Sequence, residues 1–246
     1  MSMSKLIVAN WKMYLSPKNS VEIFSVAAGK RGVVICPSFV ALNQLSSLAK
    51  KNGVSLGAQN CFWADRGAYT GEISPADLKE IGCEYVIVGH SERRGYLAET
   101  DEIIGKKLQA GLAAGLIPIL CVGENETEKK AGDANERVAE QLEKALSGLG
   151  RLPAGQKIII AYEPVWAIGT GQACSPEAAG EMHRLIKDKV AELIGVKNVL
   201  ALYGGSVDDK NIASYLEKAE IDGALVGGAS AKKDIFASLL NAAANF

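Results

Sequence analysis

The chain has 246 residues, 48% hydrophobic and 22% charged, and its 27 basic residues are balanced by 28 acidic ones for a formal net charge of -1. That supplies a sizeable core in one or two domains, and the even charge argues against a nucleic-acid partner or an anionic membrane surface. No stretch approaches the roughly 20 apolar residues of a membrane span, and the opening run MSMSKLIVANWKM, interrupted by Asn10 and Lys12, is not expected to act as a secretion signal.

Along the chain, short apolar runs rich in β-branched residues occur at 6–11, 33–36, 54–59, 85–88, 116–122, 157–162, 199–203 and 224–226, separated by longer helical patterns. The runs are continuous rather than alternating, which predicts parallel strands buried on both faces. Ser16-Pro17, Ser74-Pro75 and Ser175-Pro176 each set a serine before a proline. The serine oxygen can accept from an orphan backbone N–H, and proline costs nothing in a first turn whose donor would go unused. Residues 177–194 carry Met182, Leu185, Ile186, Val190, Leu193 and Ile194 on one helical face, and Gly195 stops the pattern. Residues 234–244 predict a last amphipathic helix, and the charged stretch from Glu124 to Asn135 reads as a solvated loop and helix start. Repeating units of about 30 residues predict an α/β fold spanning residues 1–246 as one domain, an eight-stranded parallel (β/α)8 barrel. An open doubly wound sheet would usually carry a glycine-rich fingerprint after its first strand, where this chain has Asn10-Trp11-Lys12.

The five cysteines (Cys36, Cys61, Cys83, Cys121 and Cys174) are scattered with no CxxC pair. They read as reduced thiols of a cytoplasmic protein. Cys121 reads as core packing, and Cys61 is the thiol whose surroundings matter most. His90 and His183 show no zinc-like spacing, so no structural metal site is expected. The long loop from Gln59 to Glu72 carries Phe62, Trp63 and Tyr69. Such aromatics need a surface to bury against, either their own barrel or a second subunit.

In a β/α barrel, function gathers at the carboxyl ends of the strands. Those ends hold Asn10 and Lys12; Gln59 and Asn60; His90 and Ser91; Gly123 and Glu124; Glu163; Gly204, Gly205 and Ser206; and Gly227 and Gly228. Lys12 closes a buried strand, where an unpaired ammonium is expensive. His90 precedes a helix start, which favours a neutral imidazole able to donate. Glu163 closes an apolar run and precedes Pro164-Val165-Trp166. Gly204-Gly205-Ser206 and Gly227-Gly228-Ala229, with a helix expected after each, can aim backbone N–H groups at a phosphate.

The segments Ala9-Asn10-Trp11-Lys12-Met13, 85–94, 161–171, 203–207 and 226–230 resemble the triosephosphate isomerases, in order and from end to end. The resemblance implies a cofactor-free interconversion of dihydroxyacetone phosphate and D-glyceraldehyde 3-phosphate, a step of glycolysis and gluconeogenesis. By that likeness Glu163 is the base, neutral His90 moves protons between the two substrate oxygens, and Lys12 stabilises the enediolate. Asn10 holds substrate oxygens, Glu92 supports Lys12, and Gly169, Ser206, Gly227 and Gly228 grip the phosphate. Residues 165–173 resemble the family's lid, with Trp166 near a hinge. The loop from Gln59 to Glu72 resembles its dimer loop, with Thr70 reaching the partner's site and Glu72 pairing with Arg93 across a homodimer. Two positions depart from the family's pattern: Lys187, with Asp222 as its expected partner, stands where arginine is usual, and Tyr14 where asparagine is usual. Tyr14 is expected to alter subunit contacts. Another phosphate-binding barrel enzyme, such as a sugar-phosphate aldolase, and a catalytically silent barrel scaffold are the alternatives. The first would want a lysine where β-strand six ends in Glu163, and intact Lys12, His90 and Glu163 argue against the second.

Overall fold

The computed structural model describes residues 5–168 and 173–246. Eight parallel strands close on themselves in sequence order: β1 (Leu6–Asn10), β2 (Val33–Cys36), β3 (Ser55–Ala58), β4 (Tyr85–Val88), β5 (Ile117–Val122), β6 (Ile159–Tyr162), β7 (Leu200–Tyr203) and β8 (Gly223–Val226). The last pairing, Ile7 with Ala224 and Val8 with Leu225, joins β8 to β1 and leaves no sheet edge. This is the expected (β/α)8 barrel, with strand limits within two residues of the predicted runs.

The helices are α1 (Pro17–Phe24), α2 (Phe39–Asn52), α3 (Pro75–Glu80), α4 (Ser91–Leu97), α5 (Asp101–Ala113), α6 (Glu126–Ala131), α7 (Ala134–Leu146), α8 (Pro176–Ile194), α9 (Ile212–Leu216) and α10 (Lys233–Ala243). All three Ser-Pro signals start helices: Ser16 Oγ accepts from Asn19 N–H at 3.2 Å, Ser74 Oγ from Ala76 N–H at 3.1 Å, and Ser175 Oγ from Ala178 N–H at 3.2 Å. Gly195 ends α8 at φ 73°, a left-handed conformation that glycine takes without strain. The stretch after β5, predicted as a solvated loop and helix start, holds a complete short helix before α7 begins. It folds α6, because Asn125 and Glu128 satisfy each other's backbone N–H groups in a capping box.

Continuous hydrophobicity in the strands serves two cores. Val8, Val34, Cys36, Ile87, Ile119, Cys121, Ile159, Ala161, Leu202 and Leu225 pack inside the barrel. Their strand neighbours, including Ile35, Val86, Leu120 and Ile160, pack outward against α2, α5, α7, α8 and α10. Full burial of each such aliphatic chain contributes about 1.5–3 kcal/mol. That rigid frame fixes where the polar strand ends stand.

Candidate active site

A cavity of about 380 Å³ opens at the carboxyl end of the barrel, bounded by Asn10, Lys12, His90, Glu163, Gly204–Ser206 and Gly227–Gly228. Lys12 holds φ 47°, uncommon for a residue with a side chain. Its N–H donates to Asn10 Oδ1 at 3.0 Å, and Gln59 Nε2 donates to its carbonyl at 2.8 Å. Its ammonium pairs with Glu92 Oε1 at 2.6 Å, the support expected of Glu92. A Cβ at Gly227 would lie only 3.3 Å from Lys12 Cε, so the glycine lets the lysine cross the cavity wall.

His90 is the N-cap of α4, and its Nδ1 accepts from the Glu92 N–H at 3.2 Å. The neutral ring therefore carries its proton on Nε2, which faces Glu163 Oε1 at 3.1 Å. The other carboxylate oxygen, Glu163 Oε2, accepts from the Ser91 N–H at 2.9 Å. Glu163 is 2% exposed and lies directly beyond β6. A carboxylate, a neutral imidazole donor and an ammonium thus line one cavity, and the first two are in hydrogen-bond contact.

The two glycine turns also line the cavity, but no α-helix follows directly on either. Gly228–Ala231 forms a short 3-10 turn before α10, and an Asp208–Asn211 turn separates Ser206 from α9. An anion here would meet turn N–H groups rather than a helix dipole. Ser206 Oγ donates to Ala167 O at 2.6 Å, tying the β7 turn to the segment after β6. Gly169, expected in the phosphate grip, lies outside the described residues, as do residues 170–172 of the expected lid.

Sequence reasoning placed Glu124 only at a strand end. It is 2% exposed and takes hydrogen bonds from Tyr162 Oη at 3.1 Å and Trp166 Nε1 at 2.6 Å. Burial beside this carboxylate pushes the Tyr162 phenol well up. Lys129 covers the other aspect of Trp166, 3.0 Å from the ring centroid. Neither the link to Tyr162 nor that to Trp166 follows a local motif. Tyr14 lines the main cavity beside Gly228 and stays 63% exposed. Lys187 meets its expected partner Asp222 at 2.7 Å. Cys61 is fully buried, and burial pushes its thiol up to about 12, so it is not a reactive surface thiol. Cys121 lies in the barrel interior as expected, its thiol raised by burial and by the Glu163 carboxylate. Among the described residues no cluster of three or more histidine, cysteine or acidic side chains is arranged to hold a metal ion, and no helix is long and apolar enough to cross a membrane.

Fold and site together define a (β/α)8 barrel built for acid–base chemistry on a small anionic molecule. The family model described as triosephosphate isomerase matches residues 5–243. The chain is similar to the triosephosphate isomerase of Dictyoglomus thermophilum, 46% identical over 94% of this chain and 96% of that one. It is 44% identical to that of Caldanaerobacter subterraneus subsp. tengcongensis, over 96% and 98% of the two chains. A third, from Lactobacillus delbrueckii subsp. bulgaricus, is 44% identical over 98% and 99%. The chain belongs to the triosephosphate isomerase family.

Proposed function

We propose that this chain interconverts dihydroxyacetone phosphate and D-glyceraldehyde 3-phosphate through an enediolate, as the name of its relatives implies, and acts in glycolysis and gluconeogenesis in the cytoplasm. The observation that carries the reading is the convergence of Glu163, His90 and Lys12 on the cavity that the glycine turns also line. Glu163 takes the proton from the carbon next to the carbonyl, and the freed electron pair moves onto the carbonyl oxygen. His90 Nε2–H gives its proton to that oxygen and takes one back from the neighbouring hydroxyl, whose oxygen becomes the new carbonyl as Glu163 gives its proton to the second carbon. Asn10 orients the substrate oxygens, and the Lys12 charge stabilises the enediolate as it forms, the kind of preorganised stabilisation that dominates such reactions. The turns at Ser206 and at Gly227–Gly228, with Gly169, hold the phosphate. All these transfers use side chains of the chain itself, so the reaction is expected to proceed without metal or cofactor.

The working form is a homodimer through the loop from Gln59 to Glu72. A second cleft of about 170 Å³ lies beside the first, sharing Asn10, Lys12 and His90 and adding Met13, Phe39 and Arg93. The elements around it expose Met13 at 94%, Tyr96 at 86% and Val40 at 76%. Apolar surface of that kind is a contact surface, and the partner's Thr70 is its occupant. Within the chain Arg93 Nε donates to Glu99 at 2.6 Å, and its remaining nitrogens would meet the partner's Glu72.

The test is isomerisation of glyceraldehyde 3-phosphate in chelator by the wild-type chain and by Glu163→Ala. Fast turnover that the substitution lowers by about 10² or more supports the reaction and its base. A folded wild-type dimer without turnover would mean a silent scaffold.

A further inference from the structure

Gly123 follows β5 and crosses the main chain of Glu163 so closely that a Cβ built on it would lie 1.7 Å from the Glu163 carbonyl oxygen. Its neighbours fasten the crossing. The Glu163 N–H donates to Val122 O at 2.7 Å, and the Val165 N–H donates to Glu124 O at 3.0 Å. Gly123 itself is held by one side chain from α7: its N–H donates to Gln141 Oε1 at 2.8 Å, and its carbonyl accepts from Gln141 Nε2 at 3.0 Å. A backbone N–H can only donate and a carbonyl can only accept, so these two bonds fix the orientation of the amide.

Gln141 is 3% exposed and shares the inner face of α7 with Val138, Leu142 and Ala145. An amide at an apolar position costs free energy unless its groups are paired, and an aliphatic chain would pack that face without the penalty. Both functional groups serve one glycine. Without them the Gly123 N–H and carbonyl would be left buried and unpaired, and the peptide would turn to find other partners.

We propose that Gln141 is a positioning residue for the isomerase reaction. By closing both backbone groups of Gly123 it sets the depth of Glu163 and the aim of Glu124 at Trp166. The inference rests on the isomerase reading above. Displacing a reacting group by about 1 Å can cost about 10²-fold in rate, and Gln141 holds the turn against which the base is seated.

Gln141→Met keeps the length of the side chain and removes both hydrogen bonds. It is expected to lower kcat about tenfold or more while changing KM by less than about twofold, the signature of an interaction used in the transition state rather than in binding. In a Glu163→Ala background the same substitution is expected to leave the residual kcat within about twofold, because its effect passes through the base. Gln141→Glu retains an acceptor for the Gly123 N–H and should show a smaller loss of kcat, and it carries the test if the methionine variant does not fold. Thermal unfolding identifies the folded variants. Wild-type kcat in a folded variant, a loss carried by KM, or the same loss with and without the Glu163 carboxylate would overturn the inference. A wild-type chain that does not isomerise would instead overturn the isomerase reading, and the inference with it.

Discussion

Lys12 keeps a left-handed backbone at φ 47° without glycine's freedom, a strain of about 1–3 kcal/mol that persists only where neighbours hold it. Asn10 takes its N–H, Gln59 its carbonyl and Glu92 its ammonium. The strain places the charge along the cavity wall beside Gly227. Gln59→Leu leaves the Lys12 carbonyl without this donor and also removes the 3.0 Å bond to Cys36 O. The expected outcome is a stability loss of about 1–3 kcal/mol in urea denaturation and a rise in KM of about tenfold. An unchanged KM would show that Asn10 and Glu92 hold the lysine by themselves. Gln59 was legible as a strand end, but its bond to Lys12 spans 47 positions and exists only once β1 and β3 are set in the barrel. Asn10, Lys12, His90, Glu92 and Glu163 were legible because each lies in a long motif at a strand end. Gln141 lies in no motif, and its one mark in the sequence is a polar residue in an apolar helical stripe.

Helix starts were legible where chemistry is local, as at the three Ser-Pro pairs; after β5 a helix start was expected, but the charged run hid that the capping box at Asn125 makes α6 a separate helix before α7. What α8 does beyond packing depends on tertiary burial. His183 on α8 is fully buried, and its Nδ1 lies 2.6 Å from Ala179 O. Burial lowers its pKa to about 4, against about 6.5 in an unfolded chain. Between these values the unfolded chain binds the proton and the folded one does not. The stability that follows from a neutral His183 is therefore complete above about pH 6.5 and is lost as pH falls toward about 4. Between about pH 7.5 and pH 5 the wild type should lose about 2 kcal/mol more than His183→Gln, which has nothing to titrate there. Urea denaturation at fixed protein concentration checks this, and equal losses would show that the ring is already charged in the fold. The nearby Lys187–Asp222 pair is partly exposed at 2.7 Å, and Asp222 Oδ2 also accepts the Ala201 N–H at 2.8 Å. Lysine thus supplies the charge at this link without the planar double contact of an arginine.

At the scale of the whole molecule, the closed order of eight strands was readable from hydrophobic rhythm because every βα unit repeats the same two-sided burial. Assembly was not readable from rhythm, since it depends on which apolar side chains the finished barrel leaves outside. The loop from Gln59 to Glu72 partly satisfies itself: Phe62 stacks on Trp63 at 3.9 Å and meets Tyr69 at 4.5 Å, while Trp63 and Tyr69 keep substantial exposure. Its base is closed by the Phe62 N–H bond to Ile73 O at 2.8 Å, which does not involve the tip. Removing 67–70 should therefore spare the barrel while removing Thr70 and the exposed ring of Tyr69. The expected product is a folded monomer in sedimentation, with circular dichroism like that of the parent and kcat at least about tenfold lower, because the partner's loop no longer closes the cleft that shares Lys12 and His90. In the proposed dimer, activity would depend on assembly through that sharing: an open cleft admits water beside the lysine and imidazole, and water weakens the electrostatic stabilisation they supply. A monomer with full activity would show that one barrel completes its own site. A dimer that survives the deletion would move the contact from the loop to the exposed side chains of α2 and α4.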